Sequence, residues 1–399
     1  MMRLPIHCLQ PGMILARAIP SPNEQGRVLM GRGGRVTADL GRRLEKFGIY
    51  EVWVVSGVDC LEDFIDEEVA ERQRELYWAV RRSFEMAKAK TATEKPLDVS
   101  KFDSAVAALW EAVSRSRHGS LFVEKLDSYD NYLVSHSANV CYLAMLLGIK
   151  LERYLIEERS VKASRAKDVR ELALGCVLHD VGKLKLPQAI LDKPGSLTPE
   201  ETEIIQRHPL LGYEMVKGRV PASAAQVVLN HHQRYDGKGY PARFDPKTEQ
   251  YLPPLSAKQI PIFSRIATVC DVYDAATAAR CYSGAKPSVQ AIWEMREQFA
   301  GAFDPIVEAA FYDIVPAFPI GSLVKLSDGS EAVVTEFHPR HSLRPKVQRL
   351  KTPDGSRVDR PDLDEINLAH CDELSIIASG GTDIRKYLPL QKSRQAVLV

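Results

Sequence analysis

The stretch that decides the fold is 171-ELALGCVLHDVGK-183. Leu172, Leu174, Cys176, Val177, Leu178 and Val181 make it apolar nearly all round a helical wheel, which predicts a helix buried on every side. His179, Asp180 and Lys183 then ride on an interior helix, with His179 and Lys183 four apart on one face. Buried charge costs several kcal/mol unless it is paired or bound to a metal. The pattern therefore presents a nitrogen and an oxygen to one cation, or else a satisfied core pair.

Neighbouring segments decide between these. The run 132-YLVSHSANVCYLAMLLG-148 sets His136 on a second apolar helix. His208 stands at a helix junction in 204-IIQRHPLLG-212, and His231 and His232 close an apolar helix in 227-VVLNHHQRYDGKGYP-241. In 264-SRIATVCDVYDAATAAR-280, Asp271 and Asp274 lie three apart on one face of a further buried helix. Adjacent helical residues point about 100° apart. This geometry predicts that His231 and His232 do not serve one ion side by side, but take an ion each, or one ion and the substrate. Five imidazoles with two or three carboxylates, and no cysteine of ligand spacing, fit iron, manganese, zinc or cobalt and exclude a structural thiolate zinc site. Two such ions bridged by a carboxylate are a common device for hydrolysing phosphate esters. Asp180, next to one ligand and central in the set, is the natural bridge.

The rest of the chain frames this region. With 399 residues, 45% apolar and 26% charged, it is long enough for two or three domains of ordinary globular composition. A formal charge of +1 supplies no global field toward nucleic acid or membrane. No apolar run reaches a membrane span of about 20 residues, and the start lacks a leader-type apolar segment. Seven scattered cysteines without a CxxC pair fit free thiols in a reducing cytoplasm. Residues 1–60 read as a small α+β module, with strands in 10-QPGMILARAI-19, 26-GRVLMGRG-33 and 50-YEVWVV-55 and a helix capped by Thr37 and ended by Gly48. Residues 61–100 read as an amphipathic helix and a polar linker; its apolar stripe packs on its own chain or forms a homodimer. Residues 101–316 read as a helical domain, 317–380 as a small β domain with Asp-Gly turns at 328–329 and 354–355, and 381–399 as a poorly ordered tail. Arg340, Arg344 and Lys346 form a modest basic strip that reads as solvated.

The ordered set His136, HDVGK at 179–183, RHP at 207–209, HHQRYDGKGYP at 231–241 and DVYDA at 271–275 closely resembles the HD-GYP branch of the HD-type phosphohydrolases. The resemblance implies an all-α bundle that hydrolyses cyclic di-GMP, through pGpG and often onward to GMP, with two divalent metals, iron or manganese foremost. By position it implies His136, His179, Asp180 and Asp271 around one metal, and Asp180, His208, His231 and His232 around the second. It implies Lys183 at the scissile phosphate and Arg280 as a phosphate-binding arginine. Asp274 reads either as a substrate contact or as a partner of Arg280. Gly237, Gly239, Tyr240 and Pro241 form a loop that the resemblance makes a surface for protein partners. The third-metal glutamate of some members is Tyr132 here, and a substrate-binding lysine is replaced at Ala275. The rival readings are the same centre acting on another cyclic dinucleotide, and a nucleotide-binding adaptor without turnover.

Overall fold

A computed structural model describes residues 1–57, 66–89, 99–116, 132–245, 247–278 and 286–391. Arg280, His118, the tail beyond 391 and most of the polar linker lie outside the described residues.

The centre is a helical bundle. The helix Tyr132–Lys150 is buried continuously from Val134 to Gly148. Against it lie Arg170–Leu178, buried from Leu172 onward, and Ile262–Thr277, buried over most of its length. Ala222–Asn230 and His208–Val216 complete the shell around the opening stretch. Side chains that are apolar all round have nowhere else to go, so these helices form one core that includes Leu143, Leu172, Val177, Val227 and Ile266. Tyr132–Lys150 has the length and hydropathy to cross a membrane, and 83% of that window is buried inside the protein. The expectation that no segment reaches that length is therefore corrected, with packing as the reason for its apolarity.

The helix Glu67–Ala89 sinks Val69, Leu76, Tyr77, Val80 and Phe84 into this same core, beside Phe102, Val106 and Leu109 of the helix Ser100–Arg115. Over the described residues its apolar stripe is thus packed against its own chain. Thr198 caps the helix Pro199–Ile205 with a complete capping box. One exception to helicity is a two-stranded ribbon, Arg243–Asp245 with Gln250–Leu252, after the Gly-Tyr-Pro loop.

The N-terminal segment pairs Met2–Pro5 antiparallel with Glu51–Val54, and Ile19–Pro20 with Val28–Met30. The first of these strands escaped the sequence reading. The helix there is Leu40–Glu45, and Thr37 bonds the Asp39 side chain at 2.7 Å instead of capping backbone. The C-terminal sheet has six strands in the order Glu365–Asn367, Lys346–Lys351, Glu331–Glu336, Leu323–Leu326, Ile376–Ser379 and Thr382–Asp383. Alternation gives it two buried faces: Ala332, Val334 and Val347 join the main core, while Val333 and Phe337 pack with Met1, Trp53 and Ile320. The basic strip is dispersed. Arg344 spends its guanidinium on the carbonyls of Leu368, Cys371 and Leu374, and Lys346 pairs with Glu336 at 2.7 Å. Residues 381–391 are not a loose tail: Ile384 and Tyr387 are buried, and Tyr387 lies 5.4 Å from Trp293.

An internal ion cluster ties three elements of the bundle together. Arg265, 5% exposed, donates to Asp304 and to Glu158 at 2.5 Å each, while Tyr154 donates to Asp304 at 2.8 Å. Asp304 also caps the helix Pro305–Ile314. Removing one partner strands the others as buried charges. Arg265→Ala is expected to lower stability by about 3–5 kcal/mol, read as a fall in the denaturant midpoint at constant slope; an unchanged midpoint contradicts this assignment.

Candidate metal centre

The helix carrying the opening stretch stops at Leu178, with His179 as its C-cap. Asp180 leaves helical geometry at φ −96°, ψ 5°, and Val181–Lys185 winds on as a 3-10 turn. The expectation that all three polar groups ride one helix is corrected. The tighter turn accommodates the backbone of His208, because a Cβ on Gly182 would lie 2.0 Å from the His208 carbonyl oxygen. Glycine here lets two ligand-bearing segments touch.

Two clusters meet on Asp180. His136, His179 and Asp271 form one; His208, His231 and His232 with Asp180 form the other, each with ligand atoms within 4.8 Å of one another. In the first, His136 Nε2 lies 3.0 Å from Asp271 Oδ1 and 3.2 Å from His179 Nε2. In the second, His208 Nε2 lies 3.2 Å from Asp180 Oδ1 and 3.1 Å from His231 Nε2. Asp180 Oδ2 faces the first cluster, 3.4 Å from His179 Nε2 and 3.7 Å from His136 Nε2. His232 reaches in with Nδ1, 3.7 Å from Asp271 Oδ2.

The tautomers follow from the other ring nitrogens. His179 Nδ1 donates to the Cys176 carbonyl at 2.6 Å, His208 Nδ1 to Ile205 at 2.7 Å, and His231 Nδ1 to Val228 at 2.9 Å. A carbonyl only accepts, so each Nδ1 carries the hydrogen and each Nε2 of the neutral ring offers a lone pair. Burial drives His208 down to about 3 and His232 down to about 4, against the pull of nearby carboxylates. Burial, with the neighbouring histidines, also holds His231 well below its ordinary value. Neutral rings thus aim lone pairs at one another and at Asp180 Oδ1, which is buried with no hydrogen-bond donor among the described residues. Converging acceptors in a dry interior are repulsive unless a cation sits between them. The donor set of nitrogens and carboxylates fits divalent transition metals.

His136 differs from these rings. Burial pulls it down, but Tyr132, Asp271 and Asp274 outweigh this and hold it well above its ordinary value. Asp180 is pushed up by burial, yet Lys183, His179 and His208 keep it well below the usual carboxylate range, so it stays charged. Lys183 Nζ donates to Asp180 Oδ2 at 2.6 Å, and burial of the amine is outweighed by that carboxylate. The side chains of Lys183 and His232 are 22% and 24% exposed, against 2% or less for the other four histidines, so they mark the open side.

Sequence reasoning and structure part company at several places. His231 and His232 lie with the same cluster, contrary to the 100° argument, because the helix ends at Asn230 and His232 uses its nearer nitrogen. Asp274 is 2% exposed, and its Oδ2 accepts from His136 Nδ1 at 2.8 Å. Its three-residue spacing from Asp271 was the available signal. Tyr132 stacks on His136 at 5.2 Å and 10°, and Tyr240 on His232 at 4.6 Å and 27°, two packing roles that sequence reasoning missed. Tyr240 is held there because a Cβ on Gly239 would lie 2.4 Å from the Arg234 nitrogen, and because Gln233 donates to the Pro241 carbonyl at 2.7 Å. The loop ring thus faces inward, leaving Lys238 exposed at the tip.

Two family models match parts of the chain. Residues 150–307 match the model described as HD domain, and residues 323–379 match the KOW domain associated with HD domain. A cyclic di-GMP phosphodiesterase of Pseudomonas aeruginosa is 36% identical over 63% of this chain and 56% of its own length. The cyclic di-GMP phosphodiesterase response regulator RpfG of Xanthomonas campestris is 37% identical over 35% of each chain. A 3'3'-cGAMP-specific phosphodiesterase of Vibrio cholerae is 37% identical over 32% of this chain and 23% of its own. This chain therefore spans about half or less of the relatives it matches.

Cation binding has a direct thermal readout. Manganese added to the stripped protein at a hundred times its dissociation constant is expected to stabilise the fold by about 2.7 kcal/mol per site. The same addition to Asp180→Ala is expected to raise the melting temperature far less. Equal shifts in both proteins speak against Asp180 as the shared ligand.

Proposed function

We propose that this chain, which carries an HD domain followed by its associated KOW domain, is a metal-dependent phosphodiesterase that hydrolyses cyclic di-GMP. The observation that carries this reading is the convergence of two facing imidazole pairs, 3.2 Å and 3.1 Å apart, on the two oxygens of one buried carboxylate. Two divalent ions, iron or manganese before zinc or cobalt, supply Lewis acidity and an activated water when bound. His136, His179 and Asp271 would hold one, His208, His231 and His232 the other, and Asp180 would be shared.

The chain's own groups then divide the work. The backbone carbonyls of Cys176, Ile205 and Val228 keep three rings turned with their lone pairs inward. The Lys183 ammonium stands on the open side, next to the shared carboxylate, where it adds a positive charge beside the phosphate as negative charge develops. Lys183 and His232 are the more exposed members of the set, so the diester enters between them. The expected product is the linear dinucleotide pGpG, with GMP after a second cut. Arg280 is kept as a phosphate contact on the strength of the resemblance alone. The division of the chain at 60, 100, 316 and 380, and a protein partner at the exposed tip of the Gly-Tyr-Pro loop, belong to the same proposal. A cytoplasmic setting is supported by the free cysteines, among them Cys141, Cys176 and Cys270.

A second substrate has specific support: the relative that acts on 3'3'-cGAMP matches as well per residue as those that act on cyclic di-GMP. Purified, metal-loaded protein given both nucleotides is expected to linearise cyclic di-GMP faster; the reverse order selects the mixed dinucleotide. Lys183→Met is expected to lower kcat by about 10²–10³ at unchanged metal content. Absence of turnover with either nucleotide and every loaded metal would leave a binding adaptor instead of an enzyme.

A further inference from the structure

We propose that the two metal subsites are unequal, and that Asp274 makes the His136 subsite the one that fills first. The inference rests on the two-ion reading above. Among the ligand-set histidines, His179, His208 and His231 are oriented by a backbone carbonyl three residues back in the chain. His136 alone is oriented by a carboxylate, Asp274 Oδ2, at 2.8 Å. A carbonyl fixes a ring's direction. A carboxylate also pushes electron density through the imidazole toward the metal-facing nitrogen.

The carboxylate is well placed to act this way. Asp274 is 2% exposed, so no solvent screens it. It follows Asp271 by one turn of the helix Ile262–Thr277, which brackets the ring with two carboxylates. Asp271 Oδ1 lies 3.0 Å from Nε2, and Asp274 Oδ2 meets Nδ1 on the opposite side. Charge counting points the same way. The His136 subsite has Asp271 at 3.0 Å and Asp274 behind it, whereas the His208 subsite has neutral rings, the shared Asp180, and Asp271 no nearer than 3.7 Å at His232. Lys183 opposes this, because its amine lies 2.6 Å from Asp180 Oδ2, the oxygen nearer the first subsite. One amine on a shared group does not cancel two carboxylates. Asp274 is therefore a positioning residue that acts through His136.

Calorimetric titration of the stripped protein with Mn²⁺, with metal content measured in parallel, tests the proposal. Wild type is expected to show two steps of distinct affinity, and His208→Ala to lose the weaker one. Asp274→Asn keeps an acceptor for Nδ1 but removes the charge, and is expected to weaken the tighter step by about 10–100-fold while leaving the other in place. The inference is overturned if Asp274→Asn weakens both steps equally, only the weaker, or neither. A readout independent of the variants is the electron paramagnetic resonance of wild type given one equivalent of Mn²⁺. Isolated ions support sequential filling, and a spin-coupled pair at that loading overturns it. Failure of wild type to bind Mn²⁺ at all would remove the two-ion reading itself, a separate result from equal subsites.

Discussion

A single carboxylate turned toward two groups of imidazoles is the constraint around which this protein is organised. Asp180 is 1% exposed and remains charged because Lys183, His179 and His208 offset the cost of its burial. Holding it there requires that five separate segments deliver side chains to within a few ångströms. Each of those segments is apolar enough to be driven into the interior by its other residues. The hydrophobic core and the polar cluster thus form together: the apolar faces bring the helices into contact, and helix ends and helix faces alike present the imidazoles and carboxylates.

That His179, His208 and His231 sit at helix ends or junctions has a physical consequence. There a histidine can direct Nδ1 to a carbonyl three residues back, and this sets the tautomer without a further polar side chain in the core. His136, in the first turns of a long helix, has no such carbonyl bond and uses Asp274 instead. The two solutions serve the same geometry but differ in charge, which is why a cluster so similar on its two sides need not bind two ions equally.

The flanking regions follow the same logic of covered surface. The N-terminal strands and the six-stranded sheet share a small core through Trp53, Val333 and Phe337, while the other face of the sheet joins the bundle. Charges that look like a basic strip in one dimension are consumed locally, Arg344 by three carbonyls and Lys346 by Glu336. The stripe on Glu67–Ala89 packs against Ser100–Arg115 and Tyr132–Lys150.

The sequence by itself singled out the imidazoles and carboxylates that converge in the interior and the kind of chemistry they suit. Imidazoles and carboxylates placed in runs such as ELALGCVLHDVGK and SRIATVCDVYDA have no inexpensive place in a core except around a cation, and helix periodicity shows which segments must be core. Only the tertiary structure decided the partition of those residues. Whether His231 and His232 share a cluster depends on where a helix stops, and whether Asp274 meets substrate or His136 depends on how two helices dock. Tyr132 and Tyr240 likewise acquire their roles from rings brought beside them by other segments. Patterns of burial are local and legible along the chain; distances between side chains from different elements are set by packing, which no local pattern contains.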